Sequence, residues 1–297
     1  MDIGDHMKSK VYYSKIIDTN KLIDMYKLLG KELTGNIAVK VHSGEEGNQN
    51  YLHPEFWKPI IDYLGGTVVE CNTAYAGERN TTEKHLKTIE RHGWNKYFNV
   101  DLMDEEGYIS IPVENGKYLK EDLLGKNISK YDSCIVLSHF KGHPMGGYGG
   151  ALKQLSIGFA SSEGKSLIHS AGTNTDQYTL WDNWPPQDAF LESMAEAAGA
   201  VVKYFKGNMV FVNIMANMSV DCDCCSVAED PCMKDMGMLI SLDPVAIDQA
   251  CIDIVMNSND PGKEHFLERV NSRNGIHTIE KANELGYGSR EYELIEV

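Results

Sequence analysis

The sequence has no run approaching the roughly eighteen consecutive apolar residues that a membrane-spanning helix needs. Its first residues, MDIGDHMKSKVYY, carry no signal-peptide core. A cytoplasmic protein without a membrane partner is the expectation. Basic residues are scarce: 28 Lys and Arg stand against 43 Asp and Glu, a net charge of −15. Such a field repels phosphate backbones, so nucleic acid is not an expected partner. Neither a Walker A phosphate loop nor a dinucleotide fingerprint occurs. Cysteine is sparse and odd in number, 7 among 297 residues, and without a secretion signal a disulfide framework is not expected. Gly4-Asp5-His6-Met7 resembles a vector scar before a start codon. Residues 1–6 therefore read as a tail ahead of a native start at Met7, and His6 is set aside.

What is present is ordinary globular composition, 42% hydrophobic and 24% charged. Strand patterns occur in KVYYSKI, NIAVKVH, GTVVEC, FNVDLM, YISIPV, DSCIVLSH, NMVFVNIM and MGMLISL. Helical patterns lie between many of them, at Asp18 to Leu33 with Thr19 as cap, Pro54 to Leu64, Thr81 to His92, Ala189 to Phe205 and Asp243 to Met256. This alternation predicts an α/β fold: a mainly parallel or mixed sheet with helices on both faces. The polar stretch AGTNTDQYTLWDNWPPQ, residues 171–187, is the candidate for a long loop or a boundary between two lobes. The chain from Pro261 reads as helical, and the closing REYELIEV as an edge strand.

Five polar segments follow predicted strands, and loops at the C-terminal ends of parallel strands build ligand sites. The first is SHFKGHPMGGYGGALKQLSIG. His139, Lys141 and His143 lie at a strand tip and are candidates for acid–base work. Gly146, Gly147, Gly149 and Gly150 allow close backbone approach before a helix whose first N–H groups favour an anion. Lys153 stands in that helix's first turn, against the helix dipole, which makes sense if it faces an anion. The second segment is SVDCDCCSVAEDPCMKDMG. Cys222 and Cys224 are candidate ligands of a soft metal, though their spacing matches neither a zinc ribbon nor a ferredoxin. The acidic neighbours Asp221 and Asp223 are expected to raise the thiol pKa. Cys71, Cys134 and Cys251 read as small core residues. The remaining segments are VECNTAYAGERNTTEKH, with Arg79 and His85; VKVHSGEEGNQNYLHP, with His42; and SLDPVAIDQACID, where Asp243 caps a helix.

The segments LSHFKGHPMGGYGGALKQLSIGFASSEGK, VECNTAYAGERNTTEKH and VDCDCCSVAEDPCMKDMGMLISLDPVAIDQAC resemble family 362 of the domains of unknown function, whose members are often labelled iron–sulfur centre proteins. The resemblance covers nearly the whole chain from about Lys8, as a single family domain 8–297. The family name itself brings little biochemistry. The residues suggest a metal ion or iron–sulfur cluster held by Cys222 and Cys224, helped by His139, His143 or His42. Lys141, Lys153 and Arg79 would meet a small anionic ligand, with His42, His85 and Lys165 as further ligand candidates. Relatives carry a ferredoxin insert after the GK…H stretch. Here Gly164-Lys165…His169 is followed by a cysteine-free segment, so a separate ferredoxin would have to serve. Gln154 stands where the resemblance leads one to expect asparagine. Three readings stay open: a metal-dependent or redox enzyme, a metal-free enzyme on a phosphate or carboxylate compound, and a non-catalytic ligand- or cluster-binding module.

Overall fold

The computed structural model describes residues 8–297; the tail reading of residues 1–6 lies outside them. In chain order the elements are β1 (Ser9–Ser14), α1 (Thr19–Leu28), β2 (Ile37–Lys40), α2 (Pro54–Leu64), β3 (Thr67–Glu70), α3 (Thr82–Arg91), β4 (Val100–Leu102), β5 (Tyr108–Pro112) and β6 (Glu121–Gly125). There follow β7 (Ser133–His139), β8 (Lys141–His143), β9 (Gly147–Gly149), α4 (Ala151–Phe159), α5 (Ser162–His169), α6 (Gln187–Tyr204), β10 (Met209–Met215), β11 (Gly237–Ser241), α7 (Pro244–Asn257), α8 (Lys263–Ser272), α9 (His277–Glu284) and β12 (Tyr292–Glu296). Eight strands form one mixed sheet in the order β12-β1-β11-β10-β7-β2-β3-β4.

From β10 to β4 the sheet is parallel. Those strands are apolar on both faces, as a sheet covered on both sides requires. Ala38, Val69, Cys134, Val136 and Phe211 face a core closed by α4 to α9. Val39, Val68, Ile135, Leu137 and Val212 face a second core under α1 to α3. The period of two thus splits each strand between two cores. Cys71, Cys134 and Cys251 are buried in the first.

Several sequence expectations change. Helix α1 ends at Leu28 rather than Leu33, and its cap is Asp18, whose carboxylate accepts the Asn20 N–H at 2.8 Å. The YISIPV strand, β5, leaves the main sheet and pairs with β6, an element the sequence reading missed. The glycine-rich loop is a short hairpin, β8 paired with β9. Strand β11 is antiparallel to both neighbours, so its C-terminal end points to the opposite sheet edge. Asp243 and its helix therefore stand away from the other four loops. There Asp243 caps α7 and accepts from Ser9 and Ser289. Residues 171–187 connect α5 to α6, and β12 is an edge strand on β1. Among the described residues no helix is long and apolar enough to cross a membrane.

Candidate functional site

Four loops meet at the C-terminal edge of the parallel strands, where α4 and α5 cover them. They enclose a cavity of about 90 Å3. Lys40, His42, Glu70, Arg79, His143, Lys153, Gln154, Lys165, His169, Trp181 and Cys224 are among its lining residues. The sequence candidates His42, Arg79, His143, Lys153, Lys165 and Cys224 are therefore neighbours in space. Lys40, Glu70, His169 and Trp181 were missed. Two of these carried a signal: Lys40 and Glu70 are charges inside strand patterns, NIAVKVH and GTVVEC, where burial makes a charge costly.

The floor is rich in cations. Lys40 Nζ lies 3.5 Å from Glu70 Oε2, and Arg79 Nη1 lies 3.7 Å from Glu70 Oε1. Arg79 also reaches Glu45 at 3.3 Å and donates to the Tyr75 hydroxyl at 2.9 Å. Lys165 donates to the Ala160 carbonyl at 2.6 Å. Burial pulls the Lys40 ammonium down despite Glu70. It does the same to Lys165 despite Cys71, Asp104 and Glu70. Burial works against the Glu70 charge too, but Lys40 and Arg79 hold that carboxyl well below its usual range. Two further polar groups lining the cavity, Gln154 Nε2 and Thr73 Oγ1, are buried without a partner.

At the other end Cys224 lines the cavity, and Cys222 lies fully buried behind Lys153, outside the lining. Lys153 Nζ lies 3.7 Å from Cys222 Sγ, and the Cys224 N–H points at the same sulfur at 3.4 Å. Burial would raise the Cys222 thiol, but hydrogen bonding with Cys224 and the charges of Lys153 and Lys141 hold it well below the ordinary range. Cys224 is pushed the other way by its hydrogen bonds with Cys222 and Cys225 and by burial. The pair thus favours one thiolate and one thiol. This corrects the expectation drawn from the acidic flanks. Asp223 turns to His139 Nδ1 at 2.9 Å and Lys141 Nζ at 3.1 Å, and Asp221 turns to Arg269 at 2.9 Å. The hydrogen bond with Cys224 and the lysine facing the sulfur outweigh the acidic flanks. Burial acts against the Lys153 charge, but Cys222 and Cys224 raise its pKa. Gly142 makes the juxtaposition possible: its N–H donates to Ser219 at 2.8 Å, and a Cβ there would collide with the Val220 carbonyl.

Both cavity histidines are oriented by backbone. His143 Nδ1 accepts from Met145 N at 3.1 Å and Gly146 N at 2.9 Å, and its Nε2 lies 3.9 Å from Cys224 Sγ. His42 Nδ1 accepts from Gly44 N at 3.1 Å. The two donors at Nδ1 assign neutral His143 as the Nε2–H tautomer, whereas His42 Nε2 also faces a donor, Arg79 Nη2 at 3.5 Å. Burial and Arg79 press His42 down to about 4, and burial also lowers His143.

Other sequence candidates lie outside the cavity. His139 has both nitrogens engaged, by Asp223 and by the Ala216 carbonyl at 2.6 Å, and Lys141 is bound to the same aspartate. They hold the cysteine loop and do not face the cavity. His85 is sealed between Ser43 and Asn72, at 3.4 and 3.2 Å. Gly146, Gly147, Gly149 and Gly150 shape the hairpin and the start of α4. The anion at that helix start is the chain's own: Asp248 accepts from Ala151 N at 2.8 Å and Leu152 N at 3.0 Å.

Donor atoms of His143, Cys222 and Cys224 all lie within 4.8 Å of one another, the one such group of three among the described residues. Two thiols and an imidazole suit a single soft metal ion. They fall short of the four thiolates that hold a [4Fe–4S] cluster. Cys224 also borders a second space outside the cavity, an acidic groove with Glu45, Glu46, Glu78 and Cys225 on its walls.

No curated protein matches this chain. Among solved structures it is similar to the lactate racemase apoprotein from Thermoanaerobacterium thermosaccharolyticum, at 11% identity and a TM-score of 0.39, over 72% of this chain and 52% of that one. It is also similar to a protein from Thermotoga maritima, at 13% identity and a TM-score of 0.43, over 89% of this chain and 58% of that one. The chain thus spans little more than half the length of either. The sequence profile described as Domain of unknown function (DUF362) matches residues 37–253, well over half the chain. This chain belongs to the DUF362 family.

Proposed function

We propose that the chain is an enzyme that binds a small oxyanion in the cationic cavity and works on it beside the Cys222–Cys224 centre. One observation carries this: Lys40, Arg79, Lys153 and Lys165 converge on a single small cavity lined by one carboxylate, Glu70. Glu70 answers Lys40, Glu45 answers Arg79 and Cys222 answers Lys153, while Lys165, among the described residues, is met only by the Ala160 carbonyl. A buried cation without an ion pair is costly, and a bound anion removes that cost. Gln154 Nε2 and Thr73 Oγ1 offer donors to its oxygens.

Cys222 and Cys224 would hold a soft metal ion, which when bound would supply Lewis-acid polarisation of the ligand's oxygen. Lys40, Arg79 and Lys165 bind the anionic head. Lys153 stands between that head and the Cys222 sulfur, and His143 presents its Nε2–H as a proton donor. A redox version of this reading requires an electron donor, for which a separate ferredoxin is the family-based candidate.

A second, metal-free reading is favoured by His143. An imidazole whose Nδ1 accepts two backbone N–H groups keeps its proton on Nε2, where a ligand needs a lone pair. In that reading the Cys222 thiolate holds Lys153 against the substrate, and His143 is the acid.

The test uses protein purified without oxygen and without a metal-affinity tag. Elemental analysis and visible absorbance compare wild type with the Cys222→Ser, Cys224→Ser double variant. Thermal shifts with inorganic phosphate and with acetate compare wild type with Lys153→Met. Stoichiometric metal lost in the double variant, with anion stabilisation lost in Lys153→Met, supports the metal-dependent enzyme. Anion stabilisation in metal-free, folded wild type selects the second reading. Absence of both sinks the proposal.

A further inference from the structure

The cavity is lined by cations and, elsewhere, by the apolar side chains of Pro144, Met145, Ile157, Leu180 and Trp181. Of these Pro144 and Met145 are half-buried and Trp181 is exposed, so the opening lies on their side. Trp181 is 47% exposed and Trp184 39%, whereas Trp57 and Trp94, at 2% and 0%, are core residues. The two exposed indoles are parallel, with centroids 5.9 Å apart and planes 5° from one another. They are held in place: the His169 ring lies 6.1 and 6.2 Å from them and stacks on Phe190 of α6 at 5.0 Å. His169 is itself fixed through Nδ1, which donates to the Lys165 carbonyl at 2.7 Å. A rigid aromatic surface is thus kept in water at the entrance to a charged cavity. Large apolar area left exposed marks a place that something covers.

Size points the same way. A cavity of about 90 Å3 holds roughly half a dozen waters, at about one per 10–15 Å3. A carboxylate or a phosphate group fits, and little more does. The body of any larger ligand must leave through the mouth, past Trp181. Pro144 and Met145 line both the cavity and a shallow groove that runs on to Trp184.

We infer that the ligand is an amphipathic anion: a carboxylate-sized head among the lysines, joined to a flat aromatic body that stacks on Trp181. The inference rests on the oxyanion reading above and names its substrate class. It excludes free inorganic anions as the preferred ligand, because they have no body to cover the indole.

The probes are acetate, inorganic phosphate and 3-phenylpropionate, which shares the carboxylate head of acetate. Binding is read by tryptophan fluorescence, in which the two exposed indoles are the quenchable ones, and independently by thermal shift. Burying the phenyl ring should make 3-phenylpropionate at least ~10-fold tighter than acetate, with quenching that acetate does not produce. In Trp181→Ala, checked for folding by far-UV circular dichroism, the ratio of the two affinities should collapse toward one, and Trp181→Phe should restore most of it. Acetate and 3-phenylpropionate binding alike in wild type would overturn the aromatic body while leaving the oxyanion site standing. A Trp181→Ala protein of lower melting temperature but unchanged ratio would do the same, making the indole pair a loop anchor. Binding of none of the three probes would overturn both the inference and the oxyanion site.

Discussion

Asp223 and Asp248 are both fully buried, and each holds one wall of the cavity. Asp223 fixes the cysteine loop through two cationic partners, His139 and Lys141. Asp248 fixes α4 through neutral donors: Ala151 N, Leu152 N, the Tyr148 hydroxyl at 3.0 Å and the Asn213 amide at 2.7 Å. Burial raises both carboxyls. At Asp223 the cations more than reverse it, and the acid is held well below the usual range. At Asp248 four neutral donors do not, and the pKa rests at about 6. A full opposite charge outweighs several dipoles when both act at contact distance.

The contrast breaks most sharply by truncation. Asp223→Ala strands His139 and Lys141 as buried charges, and should cost about 3–5 kcal/mol in urea denaturation. The same change at Asp248 leaves only neutral donors unpaired, including the first N–H groups of α4. It should cost about 2–3 kcal/mol, and equal losses at the two sites would contradict the comparison. The smallest effect is a slope. A carboxyl whose folded pKa is raised from 3.8 to about 6 contributes stability that is present below pH 4 and lost as pH rises through 6. Asp248→Asn should therefore gain on wild type by about 1–2 kcal/mol between pH 4 and 6, measured as the difference of two denaturation curves at each pH. Taking that difference cancels the opposite trend from His42, His85 and His169. Burial lowers these to about 4, 3 and 3, so their contribution is full above pH 6.5 and lost on acidification.

Much of this architecture was legible in the residues. Strand patterns followed by polar loops give the α/β alternation, and parallel pairing gathers four of those loops at one edge. The direction of β11 was not legible, because a period of two looks the same in either strand direction. That one reversal removed Asp243 from the cluster. Lys40 and Glu70 were passed over because a charge inside an apolar strand gives no clue to its partner, which lies on a neighbouring strand. The acidic flanks of the cysteines misled for a related reason. Sequence neighbours Asp221 and Asp223 point away from the sulfurs, while Lys153, some 70 positions earlier, points at one of them. The glycine-rich segment advertised an anion, and the anion proved to be Asp248, nearly a hundred residues on.

Cys224 has a further consequence. Its sulfur borders the lysine-rich cavity on one side and the groove of Glu45, Glu46 and Glu78 on the other. Each of those three carboxylates already has a cation of the chain, Arg79, Arg91 and Lys84 respectively. One residue thus stands in the wall between two spaces of different lining, so a change at Cys224 alters both at once.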